Sequence, residues 1–251
     1  MDFLDALLIL FAGLWAGAIN TMVGSGTLVT FPVLLGLGYA PIVANMSNNV
    51  GLVPGSVSGT LGYRAELRGQ GPRAIRLVIA ALIGGAAGAT LLLTLPPDAF
   101  KAIVPVFIGI ALVLVVLQPR LAKAIAARRV EVHPHGGRSV QVAVLLCGVY
   151  GGYFGAAQGI LLLAVLGLGL DETLQRVNAT KNLLTLAVNG VAAIAFIALG
   201  DIAWDVAALI AVGSVVGAQI GSRVGRRLPD SALRGLIVVV GCFAIVKLLV
   251  S

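Results

Sequence analysis

The sequence predicts an all-α, polytopic helical membrane protein built from two inverted-topology repeats, each a short-segment hairpin plus three transmembrane helices. Three observations predict it. The chain is too apolar to clothe a soluble surface, its long apolar runs alternate with basic connections, and a set of glycines and asparagines returns 133 positions later.

Of 251 residues, 59% are hydrophobic and 11% charged, against roughly 25% charged in ordinary soluble domains. A soluble enzyme with a buried core is thereby excluded. The 33 glycines have no three-residue period and sit inside apolar runs. They read as positions where membrane helices approach closely, above all Gly84, Gly85, Gly88 and the stretch 213–221. The net charge of +7 would point a soluble protein towards nucleic acid. Here the charge lies in connections that orient the spans, and no nucleic-acid partner is expected. Cys147 and Cys242 fall in apolar segments, so neither a disulfide framework nor a metal site is expected, and no cofactor.

Taken in order, ten apolar segments stand at about 4–22, 27–38, 42–62, 77–95, 101–118, 140–156, 160–170, 175–199, 203–222 and 231–250. The first is preceded by Asp2 and contains Asp5 with no Lys or Arg, the wrong charge for a secretory signal, so it reads as a retained membrane segment despite Ala16, Gly17 and Ala18. The second and seventh are too short to cross ~30 Å of hydrocarbon alone. They are either hairpins that enter the membrane and return, or tilted and broken helices. Residues 1–118 form the first repeat, 119–139 a basic cytoplasmic connection and 140–251 the second repeat. Gly26, Leu35, Gly36, Asn45 and Asn49 of the first match Gly159, Leu168, Gly169, Asn178 and Asn182 of the second at one offset of 133.

Charge sets the direction. Arg64, Arg68, Arg73 and Arg76 fill the connection after segment three, and Arg120, Lys123, Arg128, Arg129 and Arg138 the one after segment five. Arg223, Arg226, Arg227 and Arg234 cluster before the last segment, and Arg176 lies at the start of segment eight. The excess of basic residues places these connections in the cytoplasm and both termini outside. Each half then crosses an odd number of times, so the halves are oppositely oriented.

Inverted repeats place ligand sites near the midplane, where broken helices free backbone groups. The candidate breaks are 20–26 and 155–159, each joining a longer segment to a short one. The N-terminus of the short helix that follows attracts anions. A simple tight hairpin turn is the other reading. Asn45 with Asn49, and Asn178 with Asn182, are spaced i,i+4 and share a helix face. Their amides serve either a polar anion or interhelical hydrogen bonds. Gln158 and Ser25, at the breaks, join them as candidate substrate ligands. Lys181 either balances an anion's charge or snorkels to the cytoplasmic interface.

Other chemistry finds less footing. All ten acidic residues lie at segment ends or in loops, so no buried carboxylate stands ready as a proton or sodium relay. His133 and His135 alone are too few to hold a metal. Ser25 and Ser47 have no His base within an apolar segment, which excludes a serine-hydrolase triad. A membrane enzyme acting on a lipid phosphate would want Glu, Asp, His or Arg at the hairpin tips, and none is there. A non-transporting scaffold would leave the duplicated polar motifs without a role.

The run Ala12-Gly-Leu-Trp-Ala-Gly17, Gly24-Ser-Gly26, Phe31-Pro-Val-Leu-Leu-Gly36, Pro41 and Ala44-Asn-Met-Ser-Asn48 resembles the sulfite exporter TauE/SafE family. The second copy, from Gly148 to Asn182, resembles that family's second motif. The resemblance implies a transporter of the bacterial inner membrane whose substrate is a small anion such as sulfite or an organosulfonate. The expected partners are that anion and the lipid bilayer, with a homodimer left open.

Overall fold

The computed structural model describes residues 1–127 and 137–224. Among the described residues the chain is all-helical: α1 (Phe3–Met22), α2 (Thr27–Gly36), α3 (Pro41–Gly62), α4 (Gly71–Thr94), α5 (Pro97–Ala127), α6 (Arg138–Tyr153), α7 (Gln158–Gly169), α8 (Leu174–Leu199) and α9 (Trp204–Val224). Each falls on one of the first nine apolar segments. The tenth, at 231–250, lies outside the described residues, as do Cys242, His133 and His135.

Local chemistry explains the ends. In α1, Asp5 accepts from the Asp2 N–H at 3.4 Å and sits at the positive end of the helix dipole. Pro41 and Pro97 open α3 and α5, where a missing N–H costs nothing. Thr173 caps α8 by accepting from the Arg176 N–H at 3.5 Å. Two helices outrun their apolar segments. α4 begins at Gly71 and α5 continues past Pro119 to Ala127. An apolar run marks where a helix meets lipid, whereas the helix carries on through Arg, Lys and Ala, which are good helix formers.

Among the described residues, five helices are long and apolar enough to cross a membrane: α1, α4, α5 over Pro97–Arg120, α8 and α9. α3 has 22 residues, but Asn, Ser and Thr dilute its apolar character. α2 and α7 have 10 and 12 residues. At 1.5 Å per residue they rise only about 15–18 Å, roughly half of a bilayer core.

The first four helices and the second set pack by exchange. α1 lies along α9, α4 lies along α6, and α3 and α8 touch each other while α3 reaches α9 and α8 reaches α4. The glycine faces expected from sequence make these contacts. A side chain at Gly84 or Gly88 would strike the main chain of Leu145 or Val149 on α6, and one at Gly213 or Gly217 would strike that of Leu10 or Leu14 on α1. Close backbone approach of this kind supplies van der Waals packing where lipid removes the hydrophobic drive for helices to associate. Ile79, Ile83, Val113, Val116, Ile194 and Ile197 remain exposed on the outside, the surface a bilayer covers.

Candidate functional site

Both short helices start from a broken one. α1 ends where Gly24 turns left-handed (φ 89°), and the N–H groups of Val23 and Gly24 both return to the Ile19 carbonyl at 2.7 and 3.0 Å. α6 ends alike: Gly155 has φ 77°, and Phe154 and Gly155 return to the Tyr150 carbonyl at 3.0 and 3.1 Å. Glycine takes that conformation without a Cβ penalty. Ala157, buried and at φ 57°, does not escape it, and such a residue costs about 1 kcal/mol. The two breaks meet. Gly159 donates its N–H to the Gly24 carbonyl at 3.0 Å, and a Cβ on either glycine would collide with the Cα of the other.

The long helices after each hairpin reach across to the opposite break. Asn45 of α3 donates to the Tyr153 carbonyl at 3.0 Å, at the end of α6. Asn178 of α8 donates to the Thr21 carbonyl at 3.3 Å, at the end of α1. These amides satisfy carbonyls that a helix terminus leaves without an intrahelical partner. Asn182 donates to the same Thr21 carbonyl at 3.3 Å. Lys181, fully buried, donates from Nζ to the Asn20 carbonyl at 2.9 Å and the Thr21 carbonyl at 3.3 Å.

Beside this crossing lie two small adjoining hollows, with Asn20, Leu52 and Thr185 in the walls of both. Asn182, Ser56 and Thr21 line the first; Asn48, Asn49, Asn189, Gln158 and Thr27 line the second. Among the described residues, neither wall contains a carboxylate or a guanidinium. Gln158 is 1% exposed and both its amide atoms lack a partner, as do Thr185 Oγ1 and Asn49 Oδ1. Buried polar atoms without partners are costly, so these groups are free of protein partners and available to bind a polar guest. Thr27 and Gln158 are also the first residues of α2 and α7, so both short-helix N-termini, with their positive dipole ends, face it. Phe154 closes one side, edge-on to Phe31 at 5.2 Å and backed by Phe100 and Phe107 of α5.

A second polar cluster lies at the start of α8. Glu172 accepts from Arg73 of α4 at 2.7 Å and from Arg176 at 2.6 Å. Arg176 also donates to the Arg68 carbonyl at 3.2 Å, and Thr180 to Gln70 Oε1 at 2.9 Å. The α3–α4 connection is thus latched to the α7–α8 connection. Burial pushes the Glu172 carboxyl up, but hydrogen bonds and charge from the two arginines outweigh it and hold the group below the usual carboxylate range.

Comparison with known proteins decides the kinship. Residues 9–248 match the family described as sulfite exporter TauE/SafE. The chain belongs to the TauE/SafE family. Relatives include the "Probable membrane transporter protein YfcA" of Escherichia coli K12, 26% identical over 95% of this chain and 87% of that protein. A "Probable membrane transporter protein" of Haemophilus influenzae is 28% identical over 84% of this chain and 82% of its own length. One from Sinorhizobium is 30% identical, with 79% and 74% covered. No solved structure matches.

In this TauE/SafE chain the residues singled out from sequence divide by position. Asn49, Asn182 and Gln158 line the hollows. Asn45, Asn178 and Lys181 lie one layer back, holding main-chain carbonyls at the breaks. Ser25 is buried in the first break with an unpartnered hydroxyl and lines neither hollow. Asn20, Asn48, Thr185 and Asn189 were missed as wall residues. Asn189 was findable, since Asn178, Asn182, Thr185 and Asn189 step by 4, 3 and 4 along one face of α8. Asn48 was hidden because its role is local: it accepts from Thr30 and donates to Thr27 at 3.3 Å.

Proposed function

We propose that the chain is an integral membrane secondary transporter of a small anion, sulfite or an organosulfonate, working by alternating access between two inverted halves. The observation that carries this is the chamber at the crossing of the two breaks. It offers unpartnered amide and hydroxyl groups and two helix N-termini, and among the described residues its walls contain no carboxylate to repel an anion. Asn49, Asn182 and Gln158 ligate oxygens, and Lys181 balances charge from behind the Asn20 and Thr21 carbonyls. The name of the family supports the choice of a sulfur oxyanion.

The exchanged packing supports two halves related by symmetry. Each half's first helix packs on the other half's fourth, and each hairpin break is pinned by an asparagine of the other half. Such an arrangement has two near-equivalent packings, open to opposite sides. The basic connections lie in the cytoplasm, with the chain in the bacterial inner membrane and both termini outside.

Thermal stabilisation of the detergent-purified protein across sulfite, sulfoacetate, sulfate and organic acids tests the reading. Stabilisation by sulfite or an organosulfonate, reduced in Gln158→Leu, is the expected result. A response to none of the sulfur anions contradicts the substrate class.

A further inference from the structure

We infer that Lys181 carries a proton that travels with the anion, so that one proton is taken up at its amine for each anion bound in the adjoining chamber. This rests on the transport reading above and adds the coupling ion to it.

The Lys181 side chain is fully buried and its amine meets only neutral groups, the carbonyls of Asn20 at 2.9 Å and Thr21 at 3.3 Å. A charged amine desolvated in this way needs a counter-charge or must give up its proton. Among the described residues the amine has carbonyl partners and no carboxylate one: Glu172, the acid nearest in sequence, pairs with Arg73 and Arg176. The elements packed against α8 do not change this. α3 and α7 contain no titratable residue. α4 brings Arg73 and Arg76 in its first two turns, α6 brings Arg138, Cys147, Tyr150 and Tyr153, and α8 itself brings Arg176. From α1, whose acids Asp2 and Asp5 lie at its other end, Lys181 meets the last-turn carbonyls. A monoanion in the chamber is the missing partner, so proton and anion favour each other's binding by the same factor.

Two details locate the coupling. Asn182, in the chamber wall, and Lys181, behind it, donate to the same Thr21 carbonyl. An anion that draws the Asn182 amide to itself therefore removes one of the donors, Asn178 being another, that compete with the amine for the Thr21 carbonyl. The carbonyl end of a broken helix is also where transporters of this general design hold a coupling cation, and here the chain places an ammonium there. The repeat partner of Lys181, 133 positions earlier, is the neutral Asn48. One such buried amine at the breaks, among the described residues, gives one proton per cycle.

The test uses the full chain in liposomes, with a pH dye inside and the membrane potential clamped by potassium and valinomycin. Gradients of methanesulfonate and ethanesulfonate drive transport, because sulfonates stay ionised and cannot carry a proton themselves. About one proton should enter with each anion, at a rate independent of the clamped potential. In Lys181→Gln, whatever anion flux remains should carry no proton. Anion flux without proton flux in the wild-type chain, or a current that scales with potential, overturns the coupling and leaves the transport reading standing. A ratio still near one in Lys181→Gln overturns the assignment to this residue. If that variant fails to insert, the wild-type ratio and its independence of potential decide the matter. Absence of any sulfonate or sulfite flux overturns the transport reading and this inference together.

Discussion

Asn182 stands between two tasks, since its amide holds the Thr21 carbonyl at 3.3 Å while its side chain forms part of the chamber wall. The magnitudes separate them. An interhelical hydrogen bond of this kind contributes about 0.6 kcal/mol in a membrane protein, too little for its loss to unfold the chain. Asn182→Ala and Asn49→Ala are therefore expected to insert normally and melt within a few degrees of the wild type, while transport falls to background. Melting curves and membrane content, measured beside flux, check this. At Glu172 the sign of the pH effect follows from its lowered folded-state value: the latch contributes above the ordinary carboxylate range and is lost as pH falls through the lowered value. Acidification from neutral pH should thus destabilise the wild type by more than Glu172→Gln, by on the order of 1 kcal/mol. Equal acid sensitivity in the two proteins would remove Glu172 from that role. The asparagines were legible in sequence because polar residues are rare in apolar segments. Which of them face the chamber was not, because Asn45 and Asn178 differ from Asn49 and Asn182 by one helical turn, and only the register of α3 against α8 decides what each turn meets.

The helices themselves were legible almost throughout, since a bilayer imposes length and apolarity on every span. Where sequence misplaced an end, at Gly71 and Ala127, the helix outlasted its hydrophobic run. The breaks were visible as glycine clusters beside short segments, but their meeting was not, because contact between Gly24 and Gly159 depends on how two distant hairpins pack. That contact carries a prediction at the scale of the element. Gly24→Ala adds a left-handed alanine and a clash with Gly159, and Gly159→Ala adds the reverse clash with the Gly24 backbone. Overpacking of this sort costs about 1–3 kcal/mol, and both variants should elute as aggregates or melt well below the wild type. Gly38→Ala serves as a control, since no atom lies within 4 Å of a Cβ there, although its φ of 88° brings conformational strain alone. If Gly24→Ala and Gly159→Ala behave no worse than Gly38→Ala, the breaks do not touch as described.

For the whole molecule, the exchange of helices between halves ties the chamber to both of them: no wall belongs to one half alone. Movement of either half would therefore change the chamber's outlet. The basic residues predict which side each connection faces. A cysteine placed at Asp2, in a chain with Cys147 and Cys242 replaced by Ala, should react with an impermeant reagent added to intact cells. A cysteine at Arg64 should react only after permeabilisation, and the reverse pattern would invert the topology. The central claim, that this chamber carries a small sulfur oxyanion across the bilayer, is tested most directly by sulfite and sulfonate flux into liposomes containing the purified chain. Flux well above empty liposomes for the wild type, with Asn49→Ala and Asn182→Ala at the empty-liposome level despite equal insertion, is the predicted result. A wild type no faster than empty liposomes, or both variants as fast as the wild type, would contradict it.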